Sequence, residues 1–216
     1  MTNRTLTVAG TTYSVTDAFA RLKGYPWKTP LAFDLQGTGE PGVLTTDEVM
    51  RTRKVSSRMS YAQAARFVDA AATAPWVDAT ADLADADPQE TSGLFSGMTD
   101  LYWHFAERTS PDVSIAKLSK VLYLKYPALY PILDTHLLKA YKPQTRGLRR
   151  TYRDFGGYQR AWVVIREELL EARTTGAIDE LRQRLRDFDS SEDDEVARVH
   201  RLDKLTDLRL LDILVW

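Results

Sequence analysis

The sequence predicts a mainly α-helical fold with a small β-hairpin at its N-terminus, and three features carry that expectation. Apolar residues recur every three or four positions in Leu94, Met98, Leu101, Tyr102 and Phe105, in Leu118, Val121 and Leu122, and in Ile178, Leu181, Leu185 and Phe188. That spacing lays one apolar stripe along a helix. Cap signals precede other helical stretches: Thr45-Thr46-Asp47-Glu48, and Ser60 ahead of Ala64, Phe67, Val68 and Ala71. A side-chain oxygen there accepts a free amide of the first turn, and acidic residues suit its positive end. The N-terminus reads differently. Arg4 to Gly10 and Thr12 to Thr16 alternate as two short strands around Ala9-Gly10-Thr11, a hairpin pattern.

The remaining elements follow in order. Thr16 or Asp17 caps a helix carrying Phe19 and Leu22. Gly24 to Gly42 holds three prolines and four glycines within its bounds and reads as a long irregular connection. Thr80 to Glu90, acidic and alanine-rich, reads as a loop. Ser190 to Glu195 forms an acidic turn and helix start. The segment from Val196 ends in an apolar strip of Leu205, Leu208, Leu211, Leu214 and Trp216. That strip could dock a partner or a second copy, making a homo-oligomer through the C-terminal helix. The expected division is 1–43, a hairpin, helix and connection packed on the main domain, and 44–216, the main helical domain.

A chain of 216 residues can bury a sizeable core. It has no cysteine, which excludes disulfides, thiolate metal sites and cysteine nucleophiles. The N-terminus lacks a signal-peptide core, and no apolar run approaches membrane length, so a cytoplasmic protein without membrane contact is expected. Gly37-Thr38-Gly39-Glu40-Pro41-Gly42 matches the dinucleotide-binding pattern by letter. Pro41 delays any helix to about Thr46, however, and no βαβ unit surrounds it, so a flexible loop is expected. Ser114-Ile115-Ala116-Lys117 has serine–lysine nucleophile spacing without its companion motifs and reads as a helix cap. His104, His136 and His200 are too scattered for a zinc site. No metal and no cofactor are expected.

The net charge of -1 hides a polarised distribution. Val113 to Arg160 carries 10 Lys+Arg against 2 Asp+Glu, while the flanks carry local charges of -4 and -5. Lys125, His136, Lys139, Lys142, Arg146, Arg149, Arg150 and Arg153 are the candidate nucleic-acid contacts. Six of the 10 tyrosines fall in the same block. Basic side chains hold phosphates and aromatic faces stack on exposed bases, which points to DNA as partner. The alternative is that acidic flanking helices neutralise the block internally.

Pro127 and Pro131 interrupt the helix that carries Lys117 and Lys120, and Asp134 then stands at the start of the next one. A carboxylate there is favoured by free amides and the helix dipole. It can act as a cap, or face a cleft and stabilise a positively charged sugar. Tyr130-Pro131-Ile132-Leu133-Asp134-Thr135-His136-Leu137 resembles the catalytic segment of the helix-hairpin-helix DNA glycosylases. The resemblance implies that fold and removal of a damaged or modified base from DNA. Asp134 would then be catalytic, with Lys120 or Lys117 as nucleophile if lyase activity accompanies it. Trp103, Tyr102 and Tyr130 are candidates for a base pocket. Ser110-Pro111-Asp112-Val113-Ser114 replaces the glycine-rich hairpin of those enzymes. Over a greater length the chain is similar to a bacterial domain family without assigned function, through Leu44 to Val49, Lys117 to Asp134 and Leu208 to Trp216. A non-catalytic nucleic-acid-binding module and a protein-interaction domain remain as alternatives.

Overall fold

In the N-terminal hairpin, β1 (Thr5–Val8) and β2 (Thr11–Ser14) pair antiparallel, with Thr5 opposite Ser14 and Val8 opposite Thr11. The computed structural model describes residues 4–216. This register leaves Ala9 and Gly10 as a two-residue loop, with φ of 52° and 77°. Positive φ at both positions gives the turn whose twist matches its strands. The second strand stops two residues before the expected Thr16. Ser14, not Thr16 or Asp17, is the cap: its Oγ accepts the Asp17 N–H at 3.1 Å and starts α1 (Val15–Lys23).

The chain divides into two compact units, Met1–Leu31 with His136–Trp216, and Ala32–Thr135. The first contains the hairpin, α1 and a turn of helix at Trp27–Leu31. It also contains α7 (Thr135–Ala140) from His136 onward, α8 (Lys142–Gly147), α9 (Gly157–Thr174), α10 (Ala177–Arg186), α11 (Asp193–Leu202) and α12 (Asp207–Val215). β1 lies on α9, while α1 packs on α10 and α12. Leu6, Leu22, Trp162, Leu169, Leu181 and Leu211 are buried there. The apolar strip of α12 is covered within this unit, with Leu208, Leu211 and Leu214 buried. Trp216 remains half exposed.

The second unit contains α2 (Ala32–Asp34), α3 (Thr46–Arg51), a 3-10 turn at Thr52–Val55, α4 (Tyr61–Ala71), α5 (Leu94–Arg108) and α6 (Ile115–Lys125). Among the described residues the two units together hold 12 α-helices and one two-stranded sheet. Thr45 with Glu48 and Ser60 with Gln63 form reciprocal capping boxes, each joining a side-chain acceptor to the N3 amide and an N3 side chain to the cap amide. The stretch expected as one loop from Thr80 to Glu90 contains a second 3-10 turn, Leu83–Asp85, with Leu83 buried. Acids serve locally here: Asp78, just before the stretch, accepts the Thr80 amide, and Asp82 and Asp87 within it accept those of Ala84 and Gln89. The Gly37–Gly42 segment precedes no helix until Thr46. It is pinned rather than loose, since Arg51 donates to the Gln36 carbonyl and Lys125 to the Thr38 carbonyl.

Two buried polar groups bind the first unit together. Arg209 pairs with Asp212 one helical turn on and donates to the Tyr25 hydroxyl at 2.8 Å. Glu168 of α9 accepts the Tyr141 hydroxyl at 2.6 Å and the Ala9 and Gly10 amides. Burial pushes the Glu168 carboxyl up from 4.5 to about 7, against these donors.

Replacing Arg209 by Ala leaves Asp212 as an uncompensated buried charge, and should cost about 3–5 kcal/mol in urea unfolding. The Arg209→Met, Asp212→Leu double variant should lose less than that single change. Glu168 binds its proton more tightly folded than unfolded, so its contribution is full below about 4.5 and disappears as pH rises through about 7. The size is about 3 kcal/mol. Glu168→Gln should flatten the fall in unfolding free energy between pH 5 and pH 8 by roughly that amount; an unchanged pH profile would refute the assignment.

Candidate nucleic-acid interface

The expected catalytic residues lie in the second unit. Ser114 accepts the Lys117 N–H and opens α6, as a cap reading of Ser114–Lys117 requires. The Lys117 ammonium donates to Gln63 Oε1 at 2.9 Å, and Gln63 Nε2 donates to Asp112. Lys120 is buried, with its ammonium 2.8 Å from the Val55 carbonyl. Both amines are therefore hydrogen-bonded to protein groups, and neither projects freely as a nucleophile.

Lys125, expected among the phosphate contacts, is also buried. Its ammonium meets Glu48 Oε1 at 2.8 Å and the Thr38 carbonyl at 2.6 Å. Burial works to raise the Glu48 carboxyl, but Lys125 and the Thr45 amide outweigh it and hold the group below its ordinary value. Lys125 thus closes the loop after α2, a role invisible from its basic charge alone.

The chain leaves α6 at Tyr126, whose φ of -137° and ψ of 68° lie outside the helical region, which the following Pro127 disfavours. Pro131, Ile132 and Leu133 are buried, and Ser119 Oγ contacts the Leu133 carbonyl at 3.4 Å. Asp134 comes next, half-buried and immediately before the first residue of α7. The proline-bracketed turn therefore delivers this carboxylate to a helix start, as its place in the sequence requires.

The three aromatic candidates differ in their surroundings. Tyr130 is fully buried and donates to the Met98 carbonyl at 2.6 Å. Tyr102 is buried too, and burial raises its hydroxyl to about 12. Trp103 is 47% exposed, edge-on to Tyr102 with ring centroids 6.3 Å apart. Tyr130 and Tyr102 act as core residues with satisfied or desolvated hydroxyls; Trp103 alone of the three offers a substantial face to solvent.

The basic residues after Asp134 lie in the first unit. Lys139, Lys142, Arg146, Arg149, Arg150 and Arg153 are all exposed. Among the described residues none of the six forms an ion pair with a carboxylate. His136 is exposed, with Nε2 3.1 Å from the Val215 carbonyl. The backbone beneath them is firmly held. Tyr141 anchors the α7–α8 junction on Glu168, and Arg160 of α9 donates to the carbonyls of Tyr152 and Phe155. Tyr152 and Phe155 stack at 4.9 Å across that turn. Among the described residues this segment thus joins hydrogen-bonded backbone to exposed cations without carboxylate partners.

One further group escaped the charge argument. Arg53, Lys54 and Arg58 are exposed and shortly precede Tyr61, an aromatic residue open to solvent. Summing charge over the first 112 residues hid them beneath acids that cap local turns. The signal that reveals them is short: four Lys or Arg and no acid between Arg51 and Arg58.

No curated protein and no solved structure matches the chain. Of the three segments that suggested a domain family without assigned function, Lys117 to Asp134 and Leu208 to Trp216 fall inside the one family match, and Leu44 to Val49 falls outside it. That match has no bearing on a glycosylase likeness. Residues 75–216, well over half of the sequence, match the family of unknown function DUF6308, and the chain belongs to that family.

Proposed function

We propose that this protein binds nucleic acid through the cationic surface of Lys139, Lys142, Arg146, Arg149, Arg150 and Arg153. The observation that carries the reading is their exposure without carboxylate partners, on a backbone fixed from inside by Tyr141 and Arg160. Each phosphate neutralised releases condensed counterions, so affinity must fall steeply with salt. Such contacts orient the ligand and carry no sequence information by themselves.

Base removal from DNA is the second reading, and Asp134 favours it. A half-buried carboxylate at a helix start can orient water and stabilise the sugar cation that forms as a glycosidic bond breaks. With Lys120 on the Val55 carbonyl and Lys117 on Gln63, hydrolysis by Asp134 and water fits better than lysine attack. The base would have to leave the stack first.

Six phosphate contacts predict a log–log salt slope of about -5 on duplex DNA. Combined Arg149→Ala, Arg150→Ala and Arg153→Ala should make that slope shallower by about 3, as read by fluorescence anisotropy. Absence of binding at low salt would sink the reading. Asp134→Asn should keep the slope. If base removal operates, this variant should also abolish the alkali-labile sites formed by the unaltered protein on DNA bearing a panel of modified bases. No such sites with the unaltered protein would leave binding alone.

A further inference from the structure

A second candidate contact surface lies within the unit Ala32–Thr135. The 3-10 turn Thr52–Val55 ends at Ser56 in a left-handed conformation, with φ of 61°. This reversal carries the chain through Arg58 to the capping box of α4. Arg53 Nε donates to the Met59 carbonyl at 2.7 Å, which fixes its guanidinium across the start of α4. The guanidinium carbon then lies 5.4 Å from the centre of the Tyr61 ring, within cation–π range.

Tyr61 is the first residue of α4 and is 68% exposed. Burial does not explain an aromatic ring so open to water, since most of its apolar area stays hydrated. Its brace does: an arginine held by a backbone carbonyl limits the ring's movement while leaving much of its surface uncovered. Lys54 and Arg58 follow Arg53 in sequence and are exposed. Among the described residues none of the three cations pairs with a carboxylate. A stacking ring beside unpaired cations is the combination that recognises unpaired bases together with their phosphates. A duplex presents phosphates but keeps its base faces stacked inside, so it can use the cations and not the ring.

We propose that Tyr61, braced by Arg53 and preceded in the chain by exposed Lys54 and Arg58, is a stacking platform for a base of single-stranded nucleic acid. The inference rests on the reading that the ligand class is nucleic acid, and narrows it to a strand with accessible bases. It does not require the Lys139–Arg153 surface, which belongs to a separate unit.

The test uses the full chain and three probes of equal length: a thymidine 15-mer, a 15-mer of abasic spacers with the same phosphates, and a duplex. Unaltered protein should prefer the thymidine strand to the abasic strand. Tyr61→Ala should weaken thymidine-strand binding at least about five-fold and leave abasic and duplex affinities within two-fold, with the salt slope unchanged. Tyr61→Phe should retain the preference. Lys54→Ala with Arg58→Ala should make the thymidine-strand salt slope shallower by about 1.4. The change at Tyr61 is on an exposed helix position, and circular dichroism with thermal unfolding checks that the fold persists.

Equal binding of thymidine and abasic strands, or equal losses on all three probes with Tyr61→Ala, overturns the platform and leaves a plain polyanion surface. If Tyr61→Ala has no effect while the Arg149, Arg150 and Arg153 changes abolish binding, the platform falls and the first surface stands. Selective loss with Tyr61→Ala and none with the arginine changes supports the platform and removes the first surface. No binding of any probe at low salt ends both.

Discussion

The hydrogen bond from Tyr141 to Glu168 is the contact on which the exposed cationic surface depends. A carboxyl buried in α9 must find donors, because leaving it bare costs more than any packing around it returns. It finds three, one from the junction of α7 and α8 and two from the hairpin turn at Ala9 and Gly10. One buried group thereby ties the first strand pair, the longest helix and the start of the basic segment to one another. Gly10 suits this turn through its φ of 77°, and a Cβ on it would make the Gln144 side-chain amide shift. Burial raises the Tyr141 hydroxyl well above its ordinary range, so this group remains a donor while Glu168 changes its charge.

The charges of the first unit sort into two populations. Arg173 and Arg182 meet Asp207, Arg186 meets Asp203, Arg184 meets Glu180 and Arg198 meets Glu195. These pairs join acids and bases of the C-terminal helices to each other, and their carboxylates do not reach across to Lys139–Arg153. The possibility that acidic flanks neutralise the basic block is therefore not realised within this unit among the described residues. The pairs of exposed Arg184 and Arg186 contribute little to stability, whereas the Arg173 and Arg182 bonds to Asp207 are part-buried.

Local rules explain most of what could be read before the structure. Thr45 with Glu48, Ser60 with Gln63, and Ser114 all cap the helices they were expected to cap, because a cap needs only the residues within one turn. Pro127 and Pro131 end α6 and place Asp134 before α7 for a similarly local reason: proline removes a donor and restricts its predecessor. Errors arose where two local solutions competed. Ser14 starts α1 ahead of Thr16, and the acids between Asp78 and Asp87 cap short turns inside a stretch that composition alone paints as loop.

The helical class, the hairpin, the caps and the concentration of positive charge were all written in residue order, because each depends on neighbours a few positions apart. Which cations are free was not, because pairing joins residues remote in sequence. Lys125 and Glu48 are 77 positions apart, and Lys120 and Val55 are 65 apart, so no spacing rule could predict that these ammonium groups lie inside. Tyr130 and Tyr61 make the same point with aromatic rings. Both are tyrosines near a basic run, yet packing seals one against Met98 and leaves the other open beneath Arg53. Burial is a property of the assembled chain, and it alone separates a lysine or tyrosine that supports the fold from one that can meet a ligand.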